Sequence, residues 1–247
     1  MTEVKPTNDL AKILENVGKF STKTKKEAEF VVTRYNENLE WTRGLEHLVT
    51  VYNKGSTDFS IEGTQIHHVP NFGVGIESML RHIISNYENL ADITMFCQAT
   101  LADRQDQPMY PLDWYFESDI LQKGVKGVMT DSYDVPRSRM RFRISNDGCK
   151  AIKDRTLVVF REKVVGVPYK YLVEFWVRGD WISVTKETIR KKPHDYYMYL
   201  YSECQFGRGV LVEECWFMER TFVSLFTRQL RVDFPYKVEK DKEVLLI

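Results

Sequence analysis

Short β-branched runs alternate along this chain with longer segments of helical period. Phe30-Val31-Val32-Thr33 suits a buried strand and stops at Arg34-Tyr35-Asn36-Glu37. Asn38 can cap a following helix that carries Leu39, Leu45 and Leu48. Leu48 to Tyr52 predicts a second strand, ended by the turn residues Asn53-Lys54-Gly55. Ile76, Met79, Leu80, Ile83, Ile84 and Tyr87 then share one face at a 3.6-residue period, and Ile93 to Cys97 reads as the next strand. Strand, helix, strand, helix, strand predicts parallel pairing through crossover helices, an α/β class.

The flanks are read the same way. Asp9 to Asn16 predicts a short helix, followed by the polar stretch STKTKKEAE, so residues 1–28 form an N-terminal helix and surface segment ahead of a single domain over 29–247. In the middle, Arg139 to Ile144 and Thr156 to Phe160 look like strands. Tyr171 to Val184 is strand-rich but interrupted at Arg178-Gly179-Asp180. Thr185 caps a helix, Pro193 restarts another, and a last helix covers about Leu211 to Phe226. The tail, KVEKDKEVLLI, is charged and then apolar, which suits an edge strand.

Composition narrows the function classes. Of 247 residues, 43% are hydrophobic and 28% charged, which argues for a folded chain and against disorder. Thirty-five basic and thirty-five acidic residues cancel, so no general attraction to nucleic acid or an anionic membrane is expected. The first twenty residues lack a signal-peptide core, and no run is long and apolar enough to span a bilayer. Cys97, Cys149, Cys204 and Cys215 are far apart without C-x-x-C spacing, which points to free thiols in a reduced, cytoplasmic setting and away from zinc.

Few residues stand out as chemistry. On the last helix, Val212, Cys215, Trp216, Phe222, Val223 and Phe226 predict an apolar stripe with Glu219 at its centre. A carboxylate there needs compensation: it is either a general base or sugar-hydroxyl binder, or the partner of Arg34 or Arg220. Arg34-Tyr35-Asn36-Glu37 and Asn53-Lys54-Gly55 end the first two strands, where parallel sheets receive ligands. Arginine suits a diphosphate and tyrosine a base, with plain turn chemistry as the alternative. Asp103 and Asp106 offer hard oxygen ligands for Mg²⁺ or Mn²⁺, although their spacing is not D-x-D. Arg137, Arg139, Arg141 and Arg143 would share one strand face, either for phosphate-rich partners or as a solvated edge. His67 and His68, adjacent on a strand, face opposite ways and cannot jointly grip a metal. G-x-S-x-G, H-E-x-x-H and P-loop patterns are absent.

Five ordered segments carry a family resemblance. Val31 to Trp41 resembles the pattern VVARYNEDLSWL, and Tyr52-Asn53-Lys54-Gly55 a second signature of a family recorded mainly in fungi and large viruses. Pro70-Asn71 with Gly73 to Leu90, Gly179 to Ile189, and Met218 to Phe226 are similar to its later segments. The resemblance implies a glycosyltransferase-A-like (Rossmann-like) fold: a mixed, mostly parallel sheet flanked by helices. It also implies a nucleotide-sugar donor and a glycan or protein acceptor. Carried over, Arg34, Tyr35, Asn36, Glu37, Asn53 and Lys54 would face the donor. Trp181 and Arg220 would lie on the acceptor side, Glu219 would be catalytic, and Asp103 would hold Mn²⁺ or Mg²⁺. Arg104, Phe222 and Val223 depart from the family pattern. The alternative is a non-catalytic glycan- or protein-binding module on the same fold.

Overall fold

The computed structural model of the chain describes residues 7, 9–101, 109–117, 119–134, 157–167, 173–204 and 213–227. It is an α/β fold built on a mixed six-stranded sheet with flanking helices. The strands are β1 (Ala28–Arg34), β2 (Val49–Asn53), β3 (Gln65–His68), β4 (Ile93–Gln98), β5 (Val125–Asp134) and β6 (Val173–Thr185), in the order β3-β2-β1-β4-β6-β5. β1 pairs in parallel with β2 and β4, β2 pairs in parallel with β3, and β6 runs antiparallel to β4. β1 and β2 are buried on both faces, which is why they read as unbroken apolar runs rather than alternating ones.

The chain divides into two compact units. The first comprises Met1–Pro70, Glu88–Val128 and Arg178–Ile189. It holds β1 to β4, the start of β5, the end of β6, and the short helices α1 (Leu10–Leu14), α3 (Asp119–Lys123) and α5 (Lys186–Arg190) up to its boundary. Its core gathers Phe30, Val32, Val49, Val51, Met95 and Cys97 from one face of the sheet with Phe20, Leu45 and Tyr115. Phe20 and Phe30 meet edge to face, 5.3 Å between ring centres.

The second unit comprises Asn71–Tyr87, Met129–Val177 and Arg190–Ile247. Its helices are α2 (Val74–Asn86), α4 (Leu157–Phe160), which continues as a π turn over Arg161–Val165, α6 (His194–Cys204) and α7 (Glu213–Thr227). α2 packs against α6 and α7. Among the described residues no helix is long and apolar enough to cross a membrane.

Several expectations hold: β1, β2, β4, α2, α6 and α7 form close to where periodicity puts them, and Thr185 caps α5 by accepting from the Thr188 amide. Others are corrected. The helix expected after Asn38 is two 3₁₀ turns, Glu40–Thr42 and Glu46–Leu48, separated by Gly44 at φ 85°. Asn38 Oδ1 accepts from the Glu40 amide, but the residue that caps the first turn is Leu39, and Leu39, Leu45 and Leu48 never shared a helical period. Leu157 to Phe160 is helical, not a strand. Leu157, Phe160, Arg161, Val164 and Val165 are all buried, a spacing of three and four residues that outweighs the local β preference of Val158-Val159. β6 runs through Arg178-Gly179-Asp180 without interruption, and β5 was not anticipated. The arginine row, the Arg139 to Ile144 strand, Cys149 and the C-terminal tail lie outside the described residues.

Candidate functional site

The polar segments Arg34-Tyr35-Asn36-Glu37 and Asn53-Lys54-Gly55 at the ends of β1 and β2 are one structure. In the parallel register Arg34 lies beside Asn53. The Arg34 guanidinium donates from Nε to the Glu37 carbonyl (2.8 Å), and from Nη1 to the Tyr35 carbonyl (3.2 Å) and Asn53 Oδ1 (2.8 Å). Its face rests on the Phe59 ring, 3.5 Å from the centroid. The Lys54 amide donates to the Arg34 carbonyl. Gly55 is required by contact: a Cβ there would stand 1.5 Å from the Tyr35 carbonyl oxygen.

Beyond these strand ends opens a cleft of about 420 Å³, lined by Arg34, Asn36, Glu37, Leu39, Arg43 and Phe59 among others. That volume is within the range of small-molecule sites. Its position, outside the carboxyl ends of parallel strands, is where open α/β sheets receive ligands. The strand order reverses at β1, which has β2 on one side and β4 on the other.

The cleft is electrostatically mixed. Arg34 and Arg43 face Glu37, Glu40 and Glu46 around its lining. Two of these acids also organise the loop. One Glu37 oxygen accepts from the Tyr35 and Asn36 amides (2.7 and 3.1 Å), and Glu46 accepts from the Gly44 amide (2.8 Å). Arg34 is 8% exposed and forms no ion pair among the described residues. Burial pushes its guanidinium below the ordinary arginine range, and the Glu37 charge opposes that shift. Its Nη2 donates to no protein group among the described residues, and the residue is part of the cleft lining.

The other expected residues fall differently. Tyr35 is 51% exposed and is not part of the lining, whereas Asn53 and Lys54 are buried behind it. Trp181 packs in the core beside Met95 and Cys97 at 2% exposure, leaving no ring face for an acceptor. On α7, Glu219 does not occupy the centre of the buried stripe. Trp216, Glu219 and Val223 share the partly exposed face, while Cys215, Met218, Phe222 and Leu225 are buried. The fully buried acid of this helix is Glu214. Glu219 pairs with Arg220 at 3.7 Å, as one of the two sequence readings expected. Asp103 lies outside the described residues. Among the described residues no group of three His, Cys, Asp or Glu side chains is arranged to hold a metal ion.

Sequence reasoning missed Phe59, Arg43 and Glu46. Phe59 left a trace, a lone aromatic within the polar stretch STDFSIEG. No protein-family model, curated protein or solved structure matches the chain.

Proposed function

We propose that the chain is a glycosyltransferase-A-like protein that binds a nucleotide sugar in the cleft beyond β1 and β2 and transfers the sugar to a glycan or protein acceptor. The observation that carries this reading is the nearly buried Arg34, which forms no ion pair among the described residues and lines a ligand-sized cleft at the carboxyl ends of parallel strands. The parallel pairs β1–β2, β1–β4 and β2–β3 beside the antiparallel β4–β6 pair also accord with the implied fold. In this reading Arg34 engages a diphosphate oxygen, and Asn36 hydrogen-bonds sugar or ribose hydroxyls. Glu219 and Arg220 stand as acceptor-side candidates on the family resemblance alone.

Mn²⁺ or Mg²⁺ belongs to the reading as a counter-ion for the diphosphate, with Asp103 as its candidate ligand. The described residues supply no cluster that fits such an ion, so no step is derived through it. A second reading draws on the acids of the cleft. Glu37, Glu40 and Glu46 repel a diphosphate but accept hydroxyl protons, which suits a neutral glycan bound without catalysis.

A thermal-shift panel of nucleotide sugars and neutral oligosaccharides, each with and without Mn²⁺, separates the two. Donor transfer predicts a rise in Tm with a nucleotide sugar, larger with the metal. A rise with oligosaccharide alone, and none with any nucleotide, would replace the first reading by the second.

A further inference from the structure

Asn53 has one orientation that satisfies its surroundings. Oδ1 faces two donors, Arg34 Nη1 at 2.8 Å and the Gly55 amide at 3.3 Å. Nδ2 faces the Ser56 carbonyl at 2.6 Å. Flipping the amide would set an NH₂ against a guanidinium and an oxygen against a carbonyl, so these three partners fix it. The second proton of Nδ2 then points at His68 Nδ1, 3.0 Å away. His68 Nδ1 must accept. The ring is therefore neutral and carries its proton on Nε2; protonated on Nδ1, it would present a donor to a donor.

This chain of bonds links an exposed histidine on β3 to the guanidinium of the cleft. Neither Asn53 nor His68 lines the cleft. We propose that both are positioning residues: His68, held as its Nε2–H tautomer, orients the Asn53 amide, and Asn53 orients Arg34 so that its Nη2 edge meets the ligand. The proposal rests on the cleft being a ligand site, but its geometry can be tested without any ligand. It also gives His68 a role that its neighbour lacks, since His67 stacks on Tyr52, 5.1 Å between ring centres.

Nitrogen NMR on the full chain reads the tautomer directly. At neutral pH, His68 should show an unprotonated Nδ1 and a protonated Nε2; a proton on Nδ1 overturns the proposal. Two variants carry it to Arg34. His68→Ala removes the acceptor, and His68→Asn replaces it, because an Asn oxygen can occupy the Nδ1 position. Loss of one net hydrogen bond should raise exchange of the Arg34 Nη1 protons, the group that Asn53 Oδ1 holds, about fivefold in the first variant, with recovery in the second. Equal exchange in all three proteins overturns the proposal. Titration with uridine diphosphate and Mn²⁺ should weaken and recover in the same order. If that probe binds none of the three, the nucleotide reading has failed, while tautomer and exchange still decide the anchoring.

Discussion

Arg34 in the first unit and Arg81 in the second are both buried arginines, and they are satisfied in opposite ways. Arg81 sits one helical turn after Glu77 on α2, with Nε 2.6 Å from the carboxylate and Nη2 2.9 Å from the Tyr201 hydroxyl. Tyr201 in turn donates to Glu77 at 2.7 Å. Burial, followed by the Glu77 charge and this bond, pushes the Tyr201 hydroxyl upward, so it stays a donor. Charge meets charge there, and the site is closed. Arg34 receives only carbonyl and amide oxygens, which satisfy geometry without cancelling charge. The helical unit uses its arginine to hold helices together. In the sheet unit Arg34 forms no ion pair among the described residues and lines the cleft, the difference that the proposed binding role draws on.

The largest expected effect breaks the neutralised arginine. Glu77→Gln should cost about 3–5 kcal/mol of stability, because Arg81 is left buried without its carboxylate. Denaturant unfolding measures this, and a loss below about 1 kcal/mol would mean the two arginines are not different in kind.

Lys192, another nearly buried cation, gives the comparison a pH axis. Burial first, and the Lys191 charge second, lower its pKa from 10.5 to about 8. Below about pH 8 the folded state carries a charged, poorly solvated amine. Between about 8 and 10.5 the unfolded chain binds the extra proton, so stability rises with pH across that window. Lys192→Met should therefore stabilise the protein at pH 7 by about 1–3 kcal/mol and flatten the slope. Unfolding at pH 7, 9 and 10.5 reads both; an unchanged slope would show that Lys192 is not the group responsible.

Gly55→Ala forces a methyl into the Tyr35 carbonyl. The shift of the strand-end loops should cost about 1–3 kcal/mol and abolish ligand binding in the cleft. Wild-type binding in the folded variant would mean that the β1–β2 junction does not shape the site.

The smallest change in stability is expected where the functional loss is greatest. Arg34→Met keeps the apolar stem over Phe59 and frees carbonyls near solvent, costing about 1–2 kcal/mol, yet it should remove nucleotide binding altogether. Retained binding would return Arg34 to the structural class of Arg81.

Much of the sheet was legible because burial on both faces writes itself as uninterrupted β-branched runs, as in Phe30-Val31-Val32. α2 was legible because its stripe spans more than three turns. The turn residues Arg34 to Glu37 and Asn53 to Gly55 were singled out by type and position; of these, Arg34, Asn36 and Glu37 line the cleft, and Asn53 holds Arg34 from behind. What local pattern could not supply was direction and partnership. Glu219 seemed central to a stripe because a helical wheel has no reference for where the neighbouring helices stand; packing turned that face outward and buried Glu214 instead. Trp181, which follows Arg178-Gly179-Asp180 directly, proved to be core because β6 pairs beside β4. The sequence by itself determined the strands β1, β2 and β4 and the helices α2, α6 and α7, since those depend on neighbours a few positions away. Tertiary structure alone decided that Arg34 forms no ion pair among the described residues while Arg81 has one, because partnership in a buried place is set by contacts between residues far apart in the chain, such as Tyr201 with Glu77.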